Sequence, residues 1–227
     1  MIKNRELMVV LLTIAGGGVD AIVIMGFNVL TAAQTGNTIL LAVAIAQGKI
    51  ALGVSAAVSV FAFVTGAALG QILLSSSPPR FRFACPLGLE AALLLILIAI
   101  WQVAEPSNSR TTELTLIACA AAAMGIQSAI ILDLHARSTT YITGMLSGLI
   151  TAMVRAGMRR HAVQPPVTGN DTAWIAGVAW LTYLAAAVVS GLVFLRFGGL
   201  SLILPLLAIA WVIGLSTRRA TSDSTGI

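Results

Sequence analysis

Charged residues are scarce in this sequence. They make up 9% of the 227 residues, whereas an average soluble domain carries about 25%. So few charges cannot cover the surface of a water-soluble protein, and hydrophobic residues make up 58% of the chain, with a mean hydropathy of +0.99. The sequence therefore predicts a protein whose main solvent is the lipid bilayer.

Metal ligands and enzyme motifs are equally sparse. The chain has two histidines and two cysteines, and they do not form a spaced metal-ligand set. It contains no phosphate-binding Walker loop, no Gly-x-Ser-x-Gly elbow and no His-Glu-x-x-His motif. We therefore expect no metal, no cofactor and no enzymatic activity. Cys85 and Cys119 lie in apolar runs, and we interpret them as small buried side chains without a disulfide.

Eight apolar segments indicate an all-α, polytopic transmembrane helix bundle. A crossing needs about 20 residues, and the second and sixth segments are shorter. These two begin with Thr35-Gly36 and Thr143-Gly144, and we predict that they are short or re-entrant helices beside about six crossings. The segments run over residues 7–30, 35–48, 50–74, 84–104, 112–134, 139–155, 172–195 and 199–216. We expect one transmembrane domain over residues 1–215 and a short polar cytoplasmic tail over 216–227.

The basic residues stand at the ends of the apolar runs, where they orient membrane helices, so the net charge of +5 does not indicate a nucleic-acid partner. With six crossings, ten of the 13 Lys and Arg residues are cytoplasmic, and with eight crossings nine of 13 are. Both topologies put the N- and C-termini in the cytoplasm. The first run has no convincing signal-peptide cleavage site, and we interpret it as a retained helix.

Two halves of the chain resemble each other in order and spacing. Gly18-Val19-Asp20 is similar to Gly125-Ile126-Gln127, and Thr35-Gly36 is similar to Thr143-Gly144. With three crossings in each half, the halves have opposite orientations, which is typical of secondary transporters with discontinuous helices. The alternative is chance similarity between Ala- and Leu-rich runs. The proposed repeat halves run over about 7–104 and 112–216.

These motifs also resemble those of the DUF1275 family, whose members are also called YoaK-like membrane proteins. The resemblance covers nearly the whole chain and is carried by the stretches 18–21, 35–38, 125–128 and 139–144, with Glu90 in an apolar run as a further similarity. It implies a multi-pass protein of the bacterial inner membrane with six spans, and it implies no particular activity. Phe27-Asn28 departs from the expected apolar pattern, and Asn28 is therefore a candidate of undefined role.

Asp20 is the clearest candidate site residue, because it lies inside an apolar run after three glycines. An ionised carboxylate at mid-membrane costs about 3 kcal/mol on insertion scales. One interpretation is a proton- or cation-linked carboxylate in a transport path. The other is a buried helix cap or an interhelical hydrogen bond.

The remaining candidates are polar residues within or beside the apolar segments. A helix start at Thr35, Gly36, Asn37 and Thr38, or at Thr143 and Gly144, presents free N–H groups to an anion or a dipolar solute. The alternative for these starts is N-capping by Thr. Gln127 either joins Asp20 in a polar network or forms a lone interhelical hydrogen bond. Glu90 is either a second proton site or an interfacial or paired carboxylate.

The leading hypothesis is a secondary transporter or permease for a small solute or ion, with Asp20 as the coupling carboxylate. The alternative is a non-transporting membrane protein, such as an assembly factor or a complex subunit. A water-accessible cavity at Asp20 favours the first, and a dry helix cap favours the second. The predicted partner is the lipid bilayer, and the sequence is compatible with a homo-oligomer.

Overall fold

A computed structural model describes residues 2–104, 109–134 and 170–224, together with the single positions 150 and 154. The rest of the predicted sixth segment, including Thr143 and Gly144, lies outside the described residues. Every regular element within the described ranges is helical. The prediction of an all-α bundle is confirmed.

The described ranges contain seven α-helices. They are α1 Ile2–Phe27, α2 Gln34–Ala46, α3 Ile50–Ser76, α4 Ala84–Val103, α5 Arg110–Asp133, α6 Asn170–Phe197 and α7 Ile203–Ser224. Short 3-10 turns, Pro79–Phe81 and Gly198–Leu202, precede α4 and α7. Five continuous helical stretches among the described residues are long and apolar enough to cross a membrane, and the last of them, Gly177–Thr217, covers parts of both α6 and α7.

Helix α3 shows most directly that the bundle is adapted to lipid. Its buried positions are mostly glycine, serine and alanine, whereas Phe61, Val64 and Ile72 are 59% exposed or more. This arrangement reverses that of a water-soluble helix, because small residues let helices approach closely in a membrane while large apolar side chains face the lipid tails. The chain is therefore an integral, multi-pass membrane protein.

Two pairs of parallel helices pack at very short range. In the first pair, Gly66 of α3 faces the backbone of Ala122 in α5, and Gly125 of α5 faces the carbonyl of Phe63. In the second pair, Gly17 of α1 faces the carbonyl of Tyr183 in α6. A Cβ atom at any of these glycines would overlap the neighbouring backbone, so glycine is what permits the approach.

The antiparallel partners define the two ends of the bundle. Arg82, before α4, forms an ion pair of 2.5 Å with Asp133 at the end of α5. We call this face the Arg82 end, and α7 also returns to it, since α7 packs against the turn Pro79–Phe81. At the opposite face, the Trp101 ring contacts Phe27 and Phe194, at centroid distances of 5.1 and 5.7 Å. We call this face the Trp101 end. The start of α1 and the end of α7 both lie at the Arg82 end.

Two helix boundaries and the exposure of one cysteine differ from the sequence predictions. The first apolar segment is not one helix to residue 30, because α1 ends at Phe27 and Asn28 adopts a φ of +58°, a left-handed conformation that asparagine tolerates well. Helix α7 continues past residue 216 to Ser224, and the hydroxyls of Ser216 and Thr217 donate to the Ile213 carbonyl. Both cysteines are free as predicted, but Cys85 is exposed rather than buried.

Candidate functional site

After Asn28 the chain turns back into the bundle. Residues 28–33, which we call the return segment, run back alongside α1 and reach Asp20, whose position along α1 is about 10 Å before Phe27. Helix α2 starts there and runs to the Trp101 end antiparallel to α3, with Asn37 bonded to Ser59. At 13 residues, α2 spans about 20 Å, which is too short for a hydrocarbon core of about 30 Å. It is a re-entrant half-helix, as predicted.

The Asp20 carboxylate lies directly before the start of this half-helix. Its Oδ1 accepts the backbone N–H groups of Thr31 and Ala32 at 2.6 and 2.7 Å and the Thr31 hydroxyl at 2.9 Å. Its Oδ2 accepts the N–H of Ala33 at 3.1 Å and the phenol of Tyr183 at 2.7 Å. The residue is 2% exposed. Five donors therefore occupy both oxygens, and a side chain of α1 satisfies N–H groups that a helix start leaves free.

The prediction that threonine caps α2 is wrong. The residue at the cap position is Ala33, and no side chain of the capping residue bonds to the helix. Thr35 and Thr38 are exposed, and the Thr38 hydroxyl donates instead to the Gln34 carbonyl at 3.0 Å. The local threonine signal misleads because the acceptor comes from another helix, more than ten residues away along the chain.

Asn37 is the second residue that holds the return segment. It is fully buried; its Oδ1 accepts the Leu30 N–H at 2.9 Å, and its amide donates to the Leu30 carbonyl and to the Ser59 hydroxyl oxygen at 2.5 and 2.8 Å. Ser59 in turn donates to the Leu30 carbonyl at 2.6 Å. The Gln34 amide donates to the Thr31 carbonyl at 2.7 Å. The irregular backbone therefore keeps its hydrogen bonds within the apolar bundle, as it must where no water is present.

Gln127 does not share this network. Its amide donates to the Leu12 carbonyl of α1 at 2.8 Å, about 12 Å along α1 from Asp20. No hydrogen bond among the described residues links Gln127 to Asp20. The lone interhelical hydrogen bond is therefore the interpretation that the geometry supports.

Glu90 is neither interfacial nor paired in the described part of the chain. It is 0% exposed, about two turns into α4, and neither of its carboxyl oxygens has a hydrogen-bond partner there. Both earlier alternatives to a proton site required water or a cation beside the carboxylate. The interpretation of Glu90 as an interfacial or paired carboxylate is therefore wrong. It was made because the hydropathy of the run could not show that the Glu90 side chain points into the bundle.

The other candidate residues lie at or near the surface of the described bundle. Asn28, Thr35 and Thr38 are exposed, and Gly36 is half-buried beside the Leu30 side chain. Asn28 acts through its backbone, since its N–H donates to the Ile24 carbonyl at 3.0 Å and its positive φ reverses the chain. Within the described ranges, no group of three or more His, Cys, Asp or Glu side chains could hold a metal ion.

Sequence reasoning missed four residues of the network. They are polar side chains within or next to apolar runs, which is the signal that could have identified them, and they are Thr31, Gln34, Ser59 and Tyr183. Tyr183 is one of two tyrosines in the chain. A polar group inside a membrane bundle needs a partner, so each such residue predicts a contact but not its identity.

Replacing Asn37 by alanine is expected to lower the free energy of unfolding by about 1–3 kcal/mol, because the buried Leu30 N–H loses its acceptor. Equilibrium unfolding in micelles with a rising fraction of SDS measures this change. Thr38→Ala is the matched control in the same helix. Its hydroxyl is exposed and bonds only within the helix, so we expect a change within about 0.5 kcal/mol. Equal effects of the two substitutions would contradict a structural role for Asn37.

The fold and the site together define a polytopic helical membrane protein with a broken, re-entrant helix held by a buried carboxylate. The sequence matches the DUF1275 family, described as proteins of unknown function, over residues 8–215. The chain belongs to this family, and the resemblance seen in its motifs is confirmed. No curated protein and no solved structure matches the chain.

Proposed function

We propose that the protein is a secondary transporter or permease for a small solute in the bacterial inner membrane, and that it is not an enzyme. The observation that carries this proposal is the half-helix α2, whose start lies inside the bundle next to irregular backbone. Non-helical backbone at membrane depth is tolerated only where protein covers it or where it lines a cavity. Discontinuous helices of this kind form the substrate sites of many secondary transporters.

We further propose that the halves 7–104 and 112–216 form an inverted repeat. Support comes from the packing: α1 lies parallel to α6, and α5 lies parallel to α3. Likewise α7 packs against α1, and α4 packs against α5. Helices α1 and α5 themselves run in opposite directions, since Leu12 and Gln127 meet near the Arg82 end. The contacts named here thus correspond in pairs after a two-fold rotation about an axis in the membrane plane.

In this proposal Asp20 positions the half-helix and does not bind the solute. The negative charge that the start of α2 would attract is already supplied by the Asp20 carboxylate. The solute would instead meet the exposed surface beside it, at Thr35, Gly36 and Thr38. The corresponding Thr143-Gly144 motif, which lies outside the described residues, is proposed as the second wall of the path.

We propose that both termini are cytoplasmic. The Arg82 end carries more basic positions than the Trp101 end, in agreement with the positive-inside rule. In the described helices and turns, positions at the Arg82 end include Arg5, Arg80, Arg82, Arg218 and Arg219, and those at the Trp101 end are Lys49, Arg110 and Arg196.

The second candidate function, a non-transporting subunit or assembly factor, is favoured by two observations. Asp20 is enclosed by five donors and functions as a helix cap, which needs no solute. The exposed side of α2 carries large apolar side chains, including Ile39 and Ile45 at 61% and 73% exposure. That surface suits either lipid or a partner helix.

A solute screen followed by a transport assay tests the proposal. Small solutes are screened for a rise in Tm of the purified protein, because a ligand of the native state stabilises it by about 2.7 kcal/mol at 100 times its Kd. Each ligand is then tested for counterflow in proteoliposomes. We expect a solute that binds and exchanges, and we expect Thr35→Val to weaken its binding while leaving the Tm of the free protein unchanged. Ligands that bind without exchange above protein-free liposomes, or no ligand at all, would favour the non-transporting alternative.

A further inference from the structure

Glu90 stands apart from every other buried polar group in the described part of the chain. Three buried side-chain oxygens there lack a hydrogen-bond partner: the two carboxyl oxygens of Glu90 and the Oε1 of Gln127. Asp20, by contrast, has five donors. The described part of the bundle thus supplies five hydrogen-bond donors to the Asp20 carboxylate and no donor to the Glu90 carboxyl group.

Glu90 lies on the buried side of α4, in line with Leu87, Leu94 and Leu97. This side packs mainly against α5 and α7. In α5, α7 and the turns that pack against α4, charged residues stand only near the helix ends, and Cys119 of α5 is the one other titratable side chain described there. Those charged residues are Arg80, Arg82 and Asp133 at the Arg82 end, Arg110 and Glu113 at the Trp101 end, and Arg218, Arg219 and Asp223 in the last turns of α7. Through Trp101, about 16 Å along α4 from Glu90, α4 also contacts α1 and α6, which carry Asp20 and Tyr183 bonded to each other, and Arg5, Glu6 and Arg196 near their ends.

The ion pair between Arg82 and Asp133 sets the depth of Glu90. Glu90 lies about 12 Å along the chain from Arg82, and Gln127 lies about 9 Å before Asp133 on the antiparallel helix α5. The two residues with unpartnered oxygens are thus at similar depths, two to three turns inside the bundle. The ion pair itself is engaged at the surface and does not neutralise Glu90.

An ionised carboxylate at that depth would carry the full free-energy cost of desolvation, because neither a hydrogen-bond donor nor a cation beside it offsets that cost. A proton on either oxygen removes the charge and also supplies a donor. The Oε1 of Gln127 is an acceptor without a partner at the same depth. A proton on Glu90 therefore removes the charge that the described contacts leave uncompensated.

We propose that Glu90 is the proton-binding residue of this protein and that the coupling ion of transport is H⁺. Glu90 carries the proton in the conformation described. It exchanges the proton with water when α4 separates from α5 and α7 during the transport cycle. The proton is taken from water on one side of the membrane and released to water on the other, so no further reactant is needed. This inference rests on the proposed transport function and assigns to Glu90 the role that Asp20 is too tightly bonded to perform.

The protonation of Glu90 can be measured without any solute. The infrared spectrum of the purified full-length protein at neutral pH should contain the C=O stretch of a protonated carboxyl, and this band should be lost in both Glu90→Gln and Glu90→Leu. Glu113→Gln is the matched control, because Glu113 is paired with Arg110 and should contribute no such band. An identical band in the wild type and both Glu90 variants, or no band at all, would overturn the assignment.

Coupling is tested in proteoliposomes with a solute found in the screen. In Glu90→Gln, accumulation driven by a pH gradient should be lost, whereas counterflow should persist because it needs no net proton movement. Glu113→Gln should retain both activities. Retained accumulation in Glu90→Gln would refute proton coupling through Glu90. If the wild type moves no solute, the transport function fails, whereas the infrared result still decides whether Glu90 holds a proton.

Discussion

Replacing Asp20 by alanine is expected to lower the free energy of unfolding by about 3–5 kcal/mol. The substitution removes the only described acceptor for three successive backbone N–H groups, those of Thr31, Ala32 and Ala33. It also leaves the Thr31 hydroxyl and the Tyr183 phenol without their partner. Inside an apolar bundle these donors have no water to bond with, so the loss exceeds that of one ordinary hydrogen bond.

Unfolding in SDS-containing mixed micelles, followed by circular dichroism, measures this effect. Asp20→Asn should fall between the wild type and Asp20→Ala, because one amide oxygen can still accept while the NH₂ group opposes the Ala33 N–H. Asp133→Asn is the matched control: its ion pair with Arg82 is partly exposed at the end of the bundle, and its loss should cost about 1 kcal/mol.

The same experiment separates the two roles considered for Asp20. If Asp20 were a coupling carboxylate, Asp20→Asn would keep its stability and lose its dependence on pH. If it is the cap seen here, stability falls first and any loss of transport follows from it. Wild-type stability in Asp20→Ala would refute the structural role.

Replacing Gly66 by alanine is expected to destabilise the bundle by about 1–3 kcal/mol, and Gly66→Leu by more. The new Cβ would overlap the carbonyl group of Ala122. Because the obstacle is backbone and not a movable side chain, α3 and α5 must separate along their whole contact. Since these helices also carry Ser59 and Gln127, the separation would disturb both polar contacts.

Gly88→Ala in α4 is the matched control for this prediction. A Cβ there meets no atom within 4 Å, so alanine should be neutral or should stabilise the helix by roughly 0.5–1 kcal/mol. The two variants are compared by Tm and by the elution profile in size-exclusion chromatography. Equal behaviour of Gly66→Ala and Gly88→Ala would contradict the close packing of α3 and α5.

Several helices could be located closely from hydropathy. The predicted segments 50–74 and 84–104 correspond to Ile50–Ser76 and Ala84–Val103. This succeeded because a crossing helix is a continuous apolar run bounded by polar or proline-containing turns, which is a local property of the chain.

The return segment could not be predicted in the same way. Val29 and Leu30 are as apolar as the helix before them, so hydropathy continued the segment to residue 30 where the chain in fact reverses. Asn28 was the one local signal. Its meaning depended on a left-handed φ, which a polarity pattern does not reveal.

The candidate site was predicted in part. Asp20 was identified because a polar side chain within an apolar run must find a partner, and Asn37 was identified as part of a helix start. Their partners were not identifiable, since Tyr183 joins Asp20 from 163 residues away and Ser59 joins Asn37 from 22. For Glu90 the residue was identified but its environment was predicted wrongly. Whether its side chain is buried without a partner depends on which side of α4 faces the bundle.

The sequence by itself determined three properties: that the protein is embedded in the membrane, which residues form most of its helices, and which polar residues lie inside apolar runs. Those properties follow from the free energy of transferring each segment from water to lipid, because this free energy is a sum over the residues of the segment. Only the tertiary structure decided what the polar residues do. It made Asp20 a helix cap and left Glu90 without a partner, because a hydrogen bond depends on the distance between atoms of separate helices and not on the composition of either one.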